Sequence, residues 1–90
     1  TKQDPIEIVR ETISAYTDIN HHTKSVLTLA KFLKDEKAIK ELKQIEKEID
    51  LIGGLTYELD VKRRQIRLSL MEQLRIKHGQ EVHDKLNSAF

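Results

Sequence analysis

The sequence predicts an all-α fold, and three observations carry that prediction. Ile45, Ile49, Ile52, Leu55, Leu59, Ile66 and Leu70 recur at three- and four-residue steps, the spacing of one face of an amphipathic helix. Ala, Glu, Lys, Leu and Arg supply 40 of the 90 residues, whereas Gly occurs three times and Pro once. Charged residues make up 34% of the chain against an average of about 25%, with 38% hydrophobic, which suits long helices with one buried stripe and solvated flanks. Ninety residues bury only a modest core. The expected architecture is therefore a small antiparallel helical hairpin or bundle, completed by self-association as a homodimer.

The first helix has a clear start. Asp4 can cap, Pro5 suits the first helical position, and Glu7 stands three residues after the cap, as a capping box requires. Ile6, Val9, Ile13, Tyr16, Ile19, Val26, Ala30 and Leu33 then trace one face, so the spacing predicts one helix from Pro5 to about Leu33. Its length would be roughly 43 Å. Lys34–Lys37 is a charged break in which Asp35 can cap the next helix, which begins near Glu36 to Ala38.

That second helix has a mixed-sign solvated face running from Lys37 to Asp50. It then meets Gly53 and Gly54. Each glycine costs a helix interior about 1 kcal/mol relative to Ala, which favours a turn. The apolar phase nevertheless runs straight across them, from Ile52 to Leu55 to Leu59, and this favours a continuous or kinked helix. A turn instead would give three helices and a short fourth. Lys77 and His78 mark the far end, with Gly79 just beyond it. Val82, Leu86 and Phe90 share one side of a short final helix that can fold back on the long one.

Composition narrows the possible functions. Net charge is +1, so the chain as a whole has no strong preference for nucleic acid. No cysteine is present, which excludes disulfides, thiolate metal sites and a cysteine nucleophile. No apolar run approaches the roughly 18 residues of a membrane span, so no membrane partner is expected. No signal-like segment stands out. A start at Thr1 suggests a mature product or a domain of something longer; the cytoplasm is the favoured compartment.

Lys62, Arg63, Arg64, Arg67, Arg75 and Lys77 form the strongest local field, opposed within that span only by Glu72. Such a face suits phosphates or an acidic protein partner. Nucleic acid is disfavoured, because no aromatic side chain lies among these cations to stack on bases. The seam for self-association is expected at Ile45, Ile49, Ile52, Leu59, Ile66 and Leu70, joined by Ile13 and Tyr16.

His21 and His22 are adjacent. Helical spacing puts His22 at the border of the apolar face and turns His21 to water. His21, then Lys24 and Leu27, a helix ending at Leu33, an acidic turn, and a second helix with Ala38 and Leu42 resemble the dimerisation and phosphotransfer hairpin of sensor histidine kinases and sporulation-type phosphotransferases. The resemblance covers about 25 residues and implies a signalling role with His21 as phosphoacceptor. The chain departs from that pattern at His22, where the family has an acidic residue, and at Ser25, where it has Asn.

His78, Glu81 and His83, with His21 or His22, are the remaining metal candidates. His78 and His83 are five apart across a glycine, unlike the i, i+4 pair that shares a helix face. No metal or cofactor is therefore expected. Nucleophile-elbow, phosphate-loop and His-Glu-x-x-His motifs are absent. Arg10, Lys24 and Lys31 lie on the polar side of the first stripe and so do not build a chorismate-mutase-like dicarboxylate pocket. The sequence reads as a non-enzymatic helical interaction module.

Overall fold

The computed structural model describes residues 4–16, 18 and 21–90. Five helices occupy most of them: α1 (Pro5–Ala15), α2 (His22–Leu33), α3 (Glu36–Ile52), α4 (Tyr57–His78) and α5 (Gln80–Asn87). No strand occurs among the described residues, so the fold is all-α.

α1 begins as its sequence indicates. The Asp4 carboxylate accepts the Ile6 N–H at 2.9 Å, with Pro5 at the first helical position. The capping box does not use Glu7, however. Its carboxylate is taken by Arg10 and by Lys85 of α5, which ties α1 to the end of the chain. These two cations, Arg10 first, hold the Glu7 carboxyl below its ordinary pKa.

The single long helix expected from Pro5 to Leu33 is instead two. α1 stops at Ala15, and Tyr16 leaves helical geometry at φ −112°, ψ 64°. A continuous rod would have left these two segments end to end, unable to touch. Broken, α1 packs on α2 and also on α5. Ser25 secures the break: its hydroxyl, fully buried, reaches the carbonyls of Ile13 at 2.8 Å and Tyr16 at 3.0 Å. It supplies a further donor to carbonyls at a helix end, where the regular backbone ladder stops. Ile19, assigned above to the apolar face, lies outside the described residues.

The second connection follows the sequence. Lys34 takes a left-handed conformation (φ 58°), Asp35 N–H bonds the Ala30 carbonyl at 3.1 Å, and the Asp35 carboxylate caps α3 by accepting the Ala38 N–H at 3.1 Å. Gln73 of α4 donates to the other Asp35 oxygen at 2.8 Å, so this cap is also a tertiary tie. The Gln73 bond, followed by the Ala38 bond, lowers the Asp35 pKa.

Gly53–Gly54 is a turn, which corrects the continuous reading. Gly53 sits at φ 77°, and both glycine N–H groups bond the Ile49 carbonyl, at 2.9 and 3.1 Å. Thr56 then restarts the helix, its hydroxyl accepting the Leu59 N–H at 3.2 Å. Capping geometry at the glycines outweighs the uninterrupted apolar phase, because the turn lets α4 fold back on α3 and cover the same stripe.

α2 lies at the centre. It packs against α1, α3 and α4, with Val26, Leu29 and Ala30 fully buried. α5 packs on α4 and returns to α1, closing the bundle around one apolar cluster that includes Ile13, Leu42, Ile45, Leu70, Leu74 and Leu86. Each such side chain, fully buried, contributes about 1.5–3 kcal/mol. Most of the expected dimer seam is thereby covered from within. Ile45, Ile49, Leu59 and Leu70 are buried, as is Ile13, and Ile66 is half-buried against the core. Ile52 alone of the six is exposed, at 58%.

Candidate functional site

The six cations expected to form one face are divided by the fold. From Lys62 to Lys77 the helix rises roughly 22 Å, and its near and far cations differ in surroundings. Arg63 is buried, at 4% exposure, and belongs to the core: its guanidinium donates to Thr23 Oγ1 at 3.0 Å and to Asp60 Oδ1 at 3.3 Å. Burial lowers its pKa, and the Asp60 carboxylate works against that shift. Arg63 is thus a structural cation and not a surface contact. Arg64 is exposed and bonds the other Asp60 oxygen at 3.2 Å. Arg67 is half-buried, its guanidinium over the Phe90 ring at 5.5 Å. At the far end Arg75 pairs with Glu72 of the preceding turn, and Lys77 is exposed.

Arg63, Arg64 and Arg67 come together with His22 and Asp60 around a cavity of about 170 Å³. His22 reaches it from the first turn of α2, its ring edge-on to Phe90 at 5.7 Å. Burial and then the Arg63 charge lower the His22 pKa. A hydrogen bond to the Tyr16 carbonyl opposes them. The neutral imidazole is therefore favoured in the folded chain.

His21 is placed differently. It stands at the junction before α2, half-exposed, its Nδ1 3.6 Å from Asp18 Oδ2. It borders a larger cavity of about 490 Å³ shared with Lys24, Glu46, Ile49, Asp50, Gly53 and Gly54. Glu46 and Asp50 in the lining and Asp18 beside the ring, against the one ammonium of Lys24, make this a poor approach for a phosphoryl dianion. Ser25, at the position where the phosphotransfer family has Asn, is buried and structural.

The other histidines diverge. His78 lies against the Phe32 ring at 5.0 Å, while His83 sits 3.0 Å from Asp84 on α5. Among the described residues no three His, Asp or Glu side chains converge as a metal set. No helix of the described residues is long and apolar enough to cross a membrane.

One surface escapes the periodicity argument. α4 buries Leu59, Leu70, Met71 and Leu74 on its inner side, yet Tyr57 (82% exposed), Leu68 (58%) and Ile76 (69%) face outward. Together with the half-buried Val61 they follow a second stripe along the helix. The signal was available in the spacing of residues 57, 61, 68 and 76, but the inner stripe on the same helix masked it.

Comparison of the chain with protein-family models, with characterised proteins and with solved structures finds no match.

Proposed function

We propose that this chain is a non-catalytic helical interaction module that self-associates through the outer face of α4. The observation that carries this reading is the exposed stripe of Tyr57, Leu68 and Ile76, left over after the chain has completed its own core. Large exposed apolar groups aligned on one helix are characteristic of contact surfaces.

Charge supports a second copy as the occupant. The acidic residues Glu58 and Asp60 lie in the first turn of α4, and Arg75, Lys77 and His78 in the last. Two α4 helices laid antiparallel, centred between Ile66 and Arg67, bring Tyr57 opposite Ile76 of the other copy and Glu58 opposite its Arg75. The two Leu68 side chains fall within about one turn of each other. The terminal turns then attract, whereas a parallel pairing sets like ends together; the Arg64 and Arg67 side chains of the two copies approach near the centre and offset part of that gain.

Area sets the strength. A strip of about 33 Å, the length of a 22-residue helix, and roughly 10 Å wide covers on the order of 330 Å² per copy. A stable interface takes about 800 Å² per partner. The dimer is accordingly weak and concentration-dependent.

Sedimentation velocity over a concentration series into the millimolar range tests this. The 10.5 kDa chain should approach twice its mass, and Leu68→Glu should keep it monomeric without loss of helicity. Glu58→Lys should weaken the dimer, and adding Arg75→Glu should restore it. A mass that stays monomeric throughout, or that Leu68→Glu leaves unchanged, overturns the reading.

A further inference from the structure

We propose that Arg64 and Arg67, seated beside Arg63 and His22, form a binding site for a phosphate dianion, carried free or as a small monoester. The site adjoins the apolar stripe of α4, with Arg64 one turn from Leu68, but its anion contacts come from other side chains than Tyr57, Leu68 and Ile76.

Charge count comes first. Three guanidiniums line this cavity against a single carboxylate, Asp60. Both Asp60 oxygens are engaged, one by Arg63 and one by Arg64. With neutral His22 the wall carries a net charge of about +2, which a phosphate dianion matches.

Geometry comes second. Guanidinium forks bind two oxygens at once, and helical spacing keeps Arg63, Arg64 and Arg67 within a sector of about 100° on α4. Arg67 forms no ion pair with a carboxylate among the described residues. The Phe90 ring supports the face of its guanidinium, which leaves the in-plane N–H donors for an anion. Arg63, buried and fixed by Thr23, does not need to move; it supplies field from a low-dielectric floor, where charge acts more strongly. His22 adds an imidazole edge whose other side is held toward the Tyr16 carbonyl.

Size comes third. A cavity of 170 Å³ has room for about five waters at roughly 30 Å³ each, enough for one tetrahedral oxyanion. It is too small for a nucleotide base as well, so a larger ester would leave its body in solvent. An extended nucleic-acid track is disfavoured, because Lys62 lines a different groove beside Asp35 and Glu41, and Arg75 and Lys77 lie toward the far end, where Arg75 is paired with Glu72.

Titration of the whole chain by NMR at low salt, with inorganic phosphate in one arm and phenyl phosphate in the other, tests the site. Saturable shifts of the His22 ring and Arg67 Nε–H signals are expected, together with a rise in the His22 pKa as the neighbouring positive charge is neutralised. Arg64→Gln and Arg67→Gln should each weaken binding by roughly tenfold, while Lys77→Gln and Ile76→Ser leave it unchanged. Saturation by the inorganic ion alone identifies free phosphate as the ligand, and saturation by the ester identifies a monoester. Absence of a saturable shift in both arms at millimolar concentration overturns the proposal. So does binding that both Arg variants retain, or that Lys77→Gln reduces equally.

Discussion

Ser25→Ala isolates the device that breaks the first half of the chain into two helices. The substitution removes one oxygen at a fully buried position and changes almost nothing else in volume. That oxygen stands 2.8 Å from the Ile13 carbonyl and 3.0 Å from the Tyr16 carbonyl. A hydroxyl has one proton, so the two carbonyls share it. Neither is left bare on its removal: Ile13 keeps the Tyr16 N–H at 3.2 Å, and Tyr16 keeps the His22 ring. The loss is therefore toward the lower end of the range for a buried unsatisfied group, about 1–2 kcal/mol. For a domain of this size that corresponds to a fall in Tm of roughly 5–15 °C.

Because α1 contacts, among the described helices, only α2 and α5, part of the loss should appear as local release of α1. Urea denaturation followed by circular dichroism reads the global term. Amide exchange across residues 6–15 reads the local one. A variant within 0.3 kcal/mol of the parent, with unchanged protection in α1, would refute the assignment of the break to this hydroxyl.

Two further predictions follow from the turn and from the anion cavity. Gly53→Ala should destabilise by about 1–2 kcal/mol, because a side chain at φ 77° is strained even though the added carbon meets nothing within 4 Å. Gly54→Ala, equally unobstructed and without the positive φ, should fall within about 0.5 kcal/mol of the parent in the same denaturation series. His22 titrates lower in the folded chain than in the unfolded one, so protons bind the unfolded state preferentially. Its contribution to stability should be fully present above the unfolded value of about 6.5 and be lost as pH falls toward the folded value. Melting curves between pH 7.5 and 5.5 should show this decline, and His22→Gln should flatten it; an unchanged slope in the variant would count against the shift.

Helix ends were more legible in the sequence than helix continuity. Asp4, Asp35 and Gly79 act where local chemistry placed them, since each aspartate bonds its own neighbouring backbone and the glycine takes the positive φ at the end of α4. The break after Ala15 was hidden because Ile13, Tyr16, Val26 and Ala30 keep helical phase across it. A weaker cue was present: Thr17, Asp18, Ile19 and Asn20 are a run of poor helix formers. At Gly53–Gly54 two local signals conflicted, and the one with a backbone mechanism prevailed. Thr56, with Glu58 and Asp60 behind it, was the overlooked start of α4.

The candidate site was legible only in part. The sequence located the cations of α4 but treated them as one face, since counting charge along a chain does not say which guanidinium is covered. Arg63 is buried because Thr23 and Asp60 meet it there, and Thr23 is forty residues away. His22 joins the cavity for the same kind of reason.

Composition and periodicity by themselves determined that this chain is helical, where α1 and α3 start and where α2 and α4 stop, and that its isoleucines and leucines are the adhesive. These are near-neighbour properties, fixed within one or two turns of backbone. Which stripe is spent on the chain's own interior and which remains on the outside of α4 was decided only by tertiary packing. Burial is a competition among all faces for a limited amount of cover, and its outcome depends on how far back the turns at Tyr16 and Gly53 bring each helix.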